Sequence, residues 1–246
     1  VKLIASDLEL PNGIAYKDGS LYVAEMTRIL RYDNIDDLEN ISKPKIIRDD
    51  LPNKTHHGWR YIDIGPDDKL YISIGVPCNI CLPEGDPRFA TISRMNLDGQ
   101  SMEVYAKGVR NSVGFSWHPE TQELWFTDNG RDWMGDDLPP DKLNHAPTAN
   151  LHFGYPYLHG KGVPDPEYFD KKPSDLNIIL PTQNLGPHVA ALGMRFYTGD
   201  QFPEQYKHQI FIAEHGSWNR SKKIGYQVSL VTLDKDGKAT SYQPFA

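Results

Sequence analysis

Two short polar segments carry side chains that could move a proton or stabilise a negative charge. Residues 56–59 have the sequence HHGW, and residues 108–111 have the sequence GVRN. Histidine can accept a proton near neutral pH, and the planar fork of an arginine suits a carboxylate or a developing oxyanion. Taken alone, His57 is more simply a surface-loop histidine and Arg110 half of a structural ion pair. Together they predict a base with an electrophilic donor beside it.

Further polar segments could bind a metal ion or a flat cofactor. Residues 127–132 (TDNGRD) and 135–137 (GDD) contain hard oxygen ligands of the kind that calcium takes, although acidic loops are more often simply solvated. His188 lies in a GPHVA segment, and Trp218 lies in EHGSWNR. A tryptophan beside cationic residues can cover the face of a bound aromatic group.

The two cysteines form a single C-x-x-C motif at Cys78 and Cys81. Leu82 follows in place of histidine, which excludes a haem-attachment motif, and two thiols alone make a weak zinc site. A short-range disulfide is favoured over free thiols.

Composition limits the classes of partner. The chain of 246 residues has a formal charge of −7, and its longest basic block is Lys222-Lys223, so a nucleic-acid surface is not expected. No apolar run approaches the roughly 20 residues that a membrane-spanning helix needs. The acidic chain with its C-x-x-C motif favours a periplasmic or secreted location, with no signal peptide in the sequence.

The elements that must position these side chains are repeated hairpins. Strand, tight turn and strand recur over residues 13–25, 61–74, 113–127 and, with a looser turn, 193–213. Further candidate strands follow each hairpin. Units of four short antiparallel strands that recur at intervals of roughly 50 residues are typical of propeller blades. The sequence therefore predicts an all-β fold of about four blades plus one extra strand at residues 1–5, in a single domain over residues 1–246.

The predicted loops and chain ends complete this picture. His57 and Arg110 each precede a hairpin, which in a propeller places them at the mouth of the central channel. Residues 131–185 are Pro-rich and poor in alternation, so we expect functional loops there. Closing a ring usually takes more than four blades, and we therefore expect a chain truncated at both ends.

Taken jointly, these segments resemble the glucose/sorbosone dehydrogenase family, especially its sorbosone dehydrogenase-like branch. The resemblance rests on HHGW with the later GPD turn, PCNIC, GVRN, TDNGRDW, GPHVA and EHGSWNR, and it covers nearly the whole chain. It implies a six-bladed propeller that holds pyrroloquinoline quinone (PQQ) and oxidises a sugar or aldehyde. A substrate hydroxyl loses its proton as a hydride passes to the quinone C5, and an external acceptor takes the electrons.

The resemblance also implies roles for particular residues. His57, rather than His56, matches the catalytic base, and Arg110 is expected to act beside it. Arg110 and Asn111 match a pair that contacts the quinone oxygens, and His188 falls at a cofactor-contacting position. Trp218 is also expected to contact the cofactor, because its indole could cover a flat face.

Two features depart from the family pattern. The calcium loop is longer here and has Asp141-Lys142 where relatives carry an acidic pair; since Lys142 cannot ligate calcium, the predicted ligands are Gly130, Asp136 and Asp137. The cationic residues that hold the cofactor's carboxylates would lie beyond Ala246, which places tight quinone binding by this chain in question.

Two other functions remain open on the sequence. A calcium-dependent lactonase on a similar propeller would need acidic ligands that converge on the channel, and Glu25 and Glu214 could contribute. A propeller that binds a partner without catalysis would show an exposed apolar patch, with His57 and Arg110 pointing apart.

Overall fold

Antiparallel β-sheet makes up nearly all the regular structure in the computed structural model, which describes residues 2–246. The first hairpin shows why these residues form tight turns. Lys17 pairs with Ser20, and the two residues between them, Asp18 and Gly19, have φ angles of 47° and 75°. Positive φ at both central residues gives the turn whose twist matches that of the flanking strands. The all-β prediction is confirmed.

The first two blades are four-stranded antiparallel sheets in sequential strand order. The first blade contains β1 (Gly13–Lys17), β2 (Ser20–Ala24), β3 (Ile29–Tyr32) and β4 (Lys45–Arg48). The second blade contains β5 (Ile62–Ile64), β6 (Leu70–Ile74), β7 (Thr91–Met95) and β8 (Glu103–Lys107).

The third and fourth blades follow the same plan, with insertions in the third. The third blade contains β9 (Phe115–Trp117), β10 (Leu124–Asp128), β11 (Pro140–Ala146) and, after an excursion, β15 (Gln183–Pro187). The excursion contains β12 (Leu151–His152), which pairs in parallel with β8, and a small hairpin of β13 (Leu158–His159) and β14 (Val163–Pro164). The fourth blade contains β16 (Ala191–Phe196), β17 (Ile210–Glu214), β18 (Gln227–Leu233) and β19 (Ala239–Pro244). Short 3-10 helices occupy Phe169–Lys171 and Glu204–Tyr206.

The hydrophobic core lies between successive blades. Three apolar clusters join the first blade to the second, the second to the third, and the third to the fourth. Between the second and third blades, for example, the rings of Tyr61 and Phe115 meet edge to face at 4.7 Å. Every residue of β6 and β10 is buried, whereas Ile14 and Tyr16 of β1 are exposed. A blade with neighbours on both sides buries both of its faces, and we propose that the four blades form one domain.

Two expectations about local structure were wrong. Residues 2–5 form no strand, and Ile4 and Ala5 instead pack against a small cluster around Val23, while residue 1 lies outside the described residues. Residues 131–185 are not only loops, because β11 and β15 lie within them and complete the third blade. In particular, Asp141 and Lys142 belong to strand β11 and not to a calcium loop.

The predicted disulfide between Cys78 and Cys81 is confirmed.

None of the helices within residues 2–246 is long and apolar enough to cross a membrane.

We expect acid to destabilise the fold through buried histidines, of which His152 offers the cleanest test. Burial, with smaller effects of Lys142 and Lys107, lowers its pKa to about 4, and Nδ1 accepts a hydrogen bond from Gly154. The unfolded chain binds a proton near pH 6.5 and the folded chain only near pH 4. The free energy of unfolding therefore falls as the pH is lowered from about 6.5 to about 4, by on the order of 3 kcal/mol for this residue. Urea unfolding at several pH values measures it, and an unchanged pH slope in His152→Gln would contradict the assignment.

Candidate functional site

The loops that follow the second and fourth strands of each blade meet at one end of the molecule. Antiparallel strands alternate in direction, so these two loops share an end of every blade. They surround a cavity whose empty volume is about 530 Å³, including the open solvent at its mouth. Its lining consists of His57, Arg110, Asn111, Asn129, Gly130, Asp132, Asp141, His188, Ala190, Leu192 and Trp218. The structure thus brings together six of the residues singled out in the sequence: His57, Arg110, Asn111, Gly130, His188 and Trp218.

His57 is held as a neutral imidazole whose Nε2 has no hydrogen-bond partner in the part of the chain that the structure describes. Its Nδ1 lies 2.8 Å from the carbonyl oxygen of Val76, and since a carbonyl can only accept, Nδ1 carries the hydrogen. Burial, followed by the nearby Arg110 and His56, lowers the pKa of His57 to about 3. At neutral pH its Nε2 therefore keeps a lone pair that can accept a proton.

Val76 connects His57 to Arg110 through its backbone. The same fully buried residue accepts from His57 through its carbonyl and donates through its N–H to the carbonyl of Arg110 at 2.9 Å. Val76 thus sets the separation between His57, the candidate base, and Arg110, the candidate donor to a developing negative charge. The loop of His57 is held further by the buried Arg60, which donates to the carbonyls of Met26, Pro52 and His57.

Gly75 leaves the space that the His57 side chain needs. A Cβ at position 75 would lie 2.5 Å from the Cβ of His57 and 3.1 Å from its carbonyl oxygen. We expect Gly75→Ala to push the imidazole toward solvent and raise the pKa of His57 from about 3 toward its ordinary value of 6.5. Imidazole proton shifts followed against pH would measure the change.

Gly193→Ala is the matched control, because a Cβ at Gly193 meets nothing within 4 Å. An unchanged His57 titration in Gly75→Ala would show that the glycine does not control the position of the ring.

Arg110 is a buried cation held by neutral acceptors. Only 4% of the residue is exposed, and Nε donates to the carbonyl of Asn79 at 2.8 Å while Nη2 donates to the Asn79 side-chain oxygen at 2.8 Å. Nη1 donates more weakly to the carbonyl of Asn129 at 3.3 Å, and the carboxylate of Asp132 lies 3.6 Å from Nη2. Burial lowers the pKa of Arg110, but no carboxylate forms a close bidentate pair with it among the described residues. Its positive charge is therefore directed at the cavity.

A buried ion pair fixes the backbone around Arg110 and Asn111. The carboxylate of Asp128 accepts from the N–H of Arg110 at 3.3 Å and from that of Asn111 at 2.8 Å. Lys142 lies 3.0 Å from the same carboxylate and also donates to the carbonyl of Phe153. Lys142 thus places a cation against the buried carboxylate of Asp128.

His188 and Trp218 lie in loops next to strands of the fourth blade, and both line the cavity. Nε2 of His188 lies 2.9 Å from the carbonyl of Gly135 and 3.0 Å from that of Leu138, so it donates to both and anchors this loop. Trp218 is 70% exposed and meets the exposed Trp133 edge to face at 5.6 Å. The indole of Trp218 is therefore free to cover a flat ligand.

Asp141, which was expected in a calcium loop, is a buried acid of the cavity wall. Its two oxygens accept from the N–H groups of Gly130 at 2.7 Å and Ala191 at 3.3 Å. Burial raises its pKa to about 6. The sequence signal was weak, because β11 begins at a proline that follows another proline, and its residues do not alternate. Asn79 and Asp132 were likewise not singled out, although both lie in motifs that the sequence shows.

The three predicted calcium ligands are not gathered at one point. Gly130 lines the cavity, while Asp136 accepts from Ser221 and Asp137 pairs with Arg220 at 3.1 Å. Within residues 2–246 no three His, Cys, Asp or Glu side chains are grouped to hold a metal. The described side chains do not by themselves form a calcium site, so no step proposed below depends on calcium, and the ligand assignment stays a prediction.

The donor set of the cavity combines a buried cation with amide groups that can bind an anionic ligand. Arg110 offers a positive charge with the Asp132 carboxylate 3.6 Å from Nη2, and the Asn111 carboxamide has no hydrogen-bond partner within residues 2–246. The buried side-chain oxygen of Asn129 is also unpaired in this part of the chain. Buried polar groups of this kind are rare unless a ligand or water completes them.

The fold and this cavity define a β-propeller protein with a polar site of histidine, arginine and asparagine at one end. The family model for glucose/sorbosone dehydrogenases matches residues 15–242. The chain belongs to the glucose/sorbosone dehydrogenase family, which confirms the resemblance.

Individual relatives agree with this assignment. An uncharacterized protein of Borreliella burgdorferi is 39% identical across 98% of this chain, which spans only 66% of that protein. A PQQ-dependent pyranose dehydrogenase of Coprinopsis cinerea is 40% identical over 55 residues, 22% of this chain and 7% of that protein.

Two solved structures share the fold. The holo PQQ domain of the Coprinopsis cinerea enzyme has a TM-score of 0.77 at 21% identity, covering all of this chain and 69% of that one. The calcium structure of a Trichoderma reesei carbohydrate-active enzyme of family AA12 has a TM-score of 0.80 at 18% identity, covering all of this chain and 71% of that one.

Proposed function

We propose that the chain carries the catalytic site of a PQQ-dependent dehydrogenase that oxidises a sugar or an aldehyde. One observation carries the proposal: a histidine whose Nε2 has no hydrogen-bond partner within residues 2–246 and a buried arginine held mainly by neutral acceptors line the same cavity. Membership of the glucose/sorbosone dehydrogenase family supports it. The local identity to a PQQ-dependent pyranose dehydrogenase supports the choice of cofactor.

His57 acts as the base. Its Nε2 accepts the proton of the substrate hydroxyl that is oxidised, while the bond from Nδ1–H to Val76 keeps the ring in the required tautomer. Because burial keeps the imidazole neutral, it is in its basic form when the substrate binds, and the proton that it accepts must be released before the next turnover.

Arg110 and Asn111 act as donors toward oxygens that gain negative charge. In a buried site such preorganised donors stabilise charge more strongly than water does. PQQ, when bound, would supply the two-electron acceptor chemistry that the side chains lack. Arg110, Asn111, His188 and Trp218 are the residues that would hold it, with Trp218 against its flat face.

The remaining assignments follow from this proposal. The substrate is a small sugar or aldehyde, and an external acceptor reoxidises the site. The disulfide between Cys78 and Cys81 supports a periplasmic or secreted location, where such bonds persist. Calcium belongs to the proposal as a second cofactor without assigned ligands.

The test combines cofactor binding with turnover. The purified chain is titrated with PQQ in the presence of calcium while the cofactor's absorbance is followed, and dye reduction is then assayed with a panel of aldoses and sugar aldehydes. We expect saturable binding, weakened in Arg110→Ala, and dye reduction with at least one substrate. Binding that is absent, or equally strong in Arg110→Ala, would contradict the assignment of this cavity.

The two alternative functions find less support. A lactonase needs acidic ligands on the channel, but Glu25 is bonded to Arg28 and to the N–H of Glu9, and Glu214 is bonded to Ser229 and Tyr242. Neither glutamate lines the cavity. A partner-binding propeller would have His57 and Arg110 pointing apart, whereas here they share one cavity.

A further inference from the structure

Asn79, the residue directly after the first cysteine of the C-x-x-C motif, contacts Arg110 more extensively than any other described residue does. Its backbone carbonyl accepts from Nε of Arg110 and its side-chain oxygen accepts from Nη2, both at 2.8 Å. Two acceptors from one residue fix both the position and the plane of the guanidinium. Since both are neutral, they fix the cation without cancelling its charge.

The same side chain also joins Arg110 to the next loop of the cavity. The side-chain oxygen of Asn79 accepts from the N–H of Asp132 at 2.8 Å, and its amide nitrogen donates to the carbonyl of Asp132 at 3.2 Å. All of the polar atoms of the Asn79 carboxamide are therefore used across residues distant in the chain. An asparagine that only completed a turn would bond to its own neighbours.

The disulfide holds Asn79 in place from both sides. Cys78 and Cys81 are bonded, which closes a loop of very few residues around Asn79 and Ile80. The loop is anchored on the buried Tyr155, whose hydroxyl accepts from the N–H of Cys81 at 2.9 Å and lies 3.5 Å from Sγ of Cys78. A closed, anchored loop loses little further freedom when its asparagine is ordered.

We propose that Asn79 is a positioning residue that sets the Arg110 guanidinium in the cavity, and that the Cys78–Cys81 disulfide exists in this fold to hold Asn79 there. The role of Arg110 toward an anionic cofactor rests on the proposed function. The positioning itself does not, because it concerns contacts within the chain alone.

The first measurement uses the chain without cofactor. The Nε–H and Nη2–H protons of Arg110 are buried and bonded to the backbone and side-chain oxygens of Asn79, so their NMR signals should exchange slowly with water. We expect Nη2–H exchange to accelerate at least tenfold in Asn79→Ala, which removes its acceptor, and exchange of both kinds of proton to accelerate in the double variant Cys78→Ser/Cys81→Ser, with no change in the exposed control Asn40→Ala. Thermal unfolding of each variant shows that the fold is retained. Unchanged exchange in both test variants would overturn the proposal, whatever the cofactor turns out to be.

The second measurement is a double-mutant cycle on PQQ binding. We expect Asn79→Ala to weaken binding by roughly tenfold in the wild-type background, the loss of one well-placed charged hydrogen bond, and to have no effect in Arg110→Ala. An equal effect in both backgrounds would mean that Asn79 acts without Arg110 and would overturn the positioning role. If wild-type chain binds no PQQ, the proposed function fails, and the exchange measurement alone decides the positioning role.

The variant Asn79→Asp separates position from charge. It keeps the size and the acceptors of asparagine but places a carboxylate against the guanidinium. We expect slow Nε–H exchange to be retained while PQQ binding weakens, because the ion pair neutralises the charge that the cavity uses. Retained exchange with unweakened binding would show that the neutrality of Asn79 is irrelevant, which contradicts the proposal.

Discussion

Replacing His57 with alanine or glutamine is expected to lower the turnover number of the PQQ-loaded protein by about 10²–10⁴-fold, the usual contribution of a general base. Glutamine is polar and similar in size to histidine, but its amide cannot accept a proton. Both variants should therefore lose activity, although glutamine keeps a polar side chain at this position. Steady-state kinetics with a reducible dye would measure the effect.

The neighbouring His56 provides the matched control. Its side chain is exposed, does not line the cavity, and meets the ring of His57 edge to face at 4.2 Å. We expect His56→Ala to change turnover by less than about tenfold, because the side chain that is lost does not line the cavity. Cofactor binding should change little in His57→Gln, since the base acts on the substrate. If His56→Ala were the damaging change and His57→Ala were tolerated, the base would have been assigned to the wrong residue.

Much of the fold could be predicted because the inner strands of the blades obey simple rules. The hairpins of β1–β2 and β5–β6 combine β-branched or aromatic residues with turn residues that tolerate positive φ, and both patterns are local. Strand β11 does not follow these rules. It buries Asp141, Lys142 and Asn144 rather than alternating apolar residues, because its side chains balance charges and line the cavity. Such a strand is recognisable only when its partners in space are known.

Some residues of the candidate site could likewise be predicted from the sequence, and others could not. His57, Arg110, His188 and Trp218 could be singled out because they lie beside the predicted hairpins, and the topology then brings those loops to one end. Their combination in one cavity agrees with the sequence-based expectation, while their chemical roles stay predictions. Asn79 and Val76 act through contacts across tens of residues, including backbone groups that have no sequence signature. No local pattern could have revealed them.

Replacing Lys142 with methionine is expected to destabilise the fold by about 3–5 kcal/mol, the typical cost of breaking a buried ion pair from one side. Methionine has a similar length but no charge, so the carboxylate of Asp128, which is fully buried, would keep only the two backbone N–H groups of Arg110 and Asn111. Urea unfolding at pH 7 would measure the loss. The exposed Lys235, changed to methionine, should stay within about 0.5 kcal/mol of wild type.

The double variant Asp128→Asn/Lys142→Met tests the cause of that loss. Once both charges are removed, no uncompensated ion remains buried, so the double variant should be more stable than Lys142→Met alone. Equal instability of the two would mean that Lys142 acts mainly by filling space and by donating to the carbonyl of Phe153. The expected recovery would instead show that the lysine stands in this strand because Asp128, which holds the backbone of Arg110 and Asn111, needs a counter-charge in a dry interior.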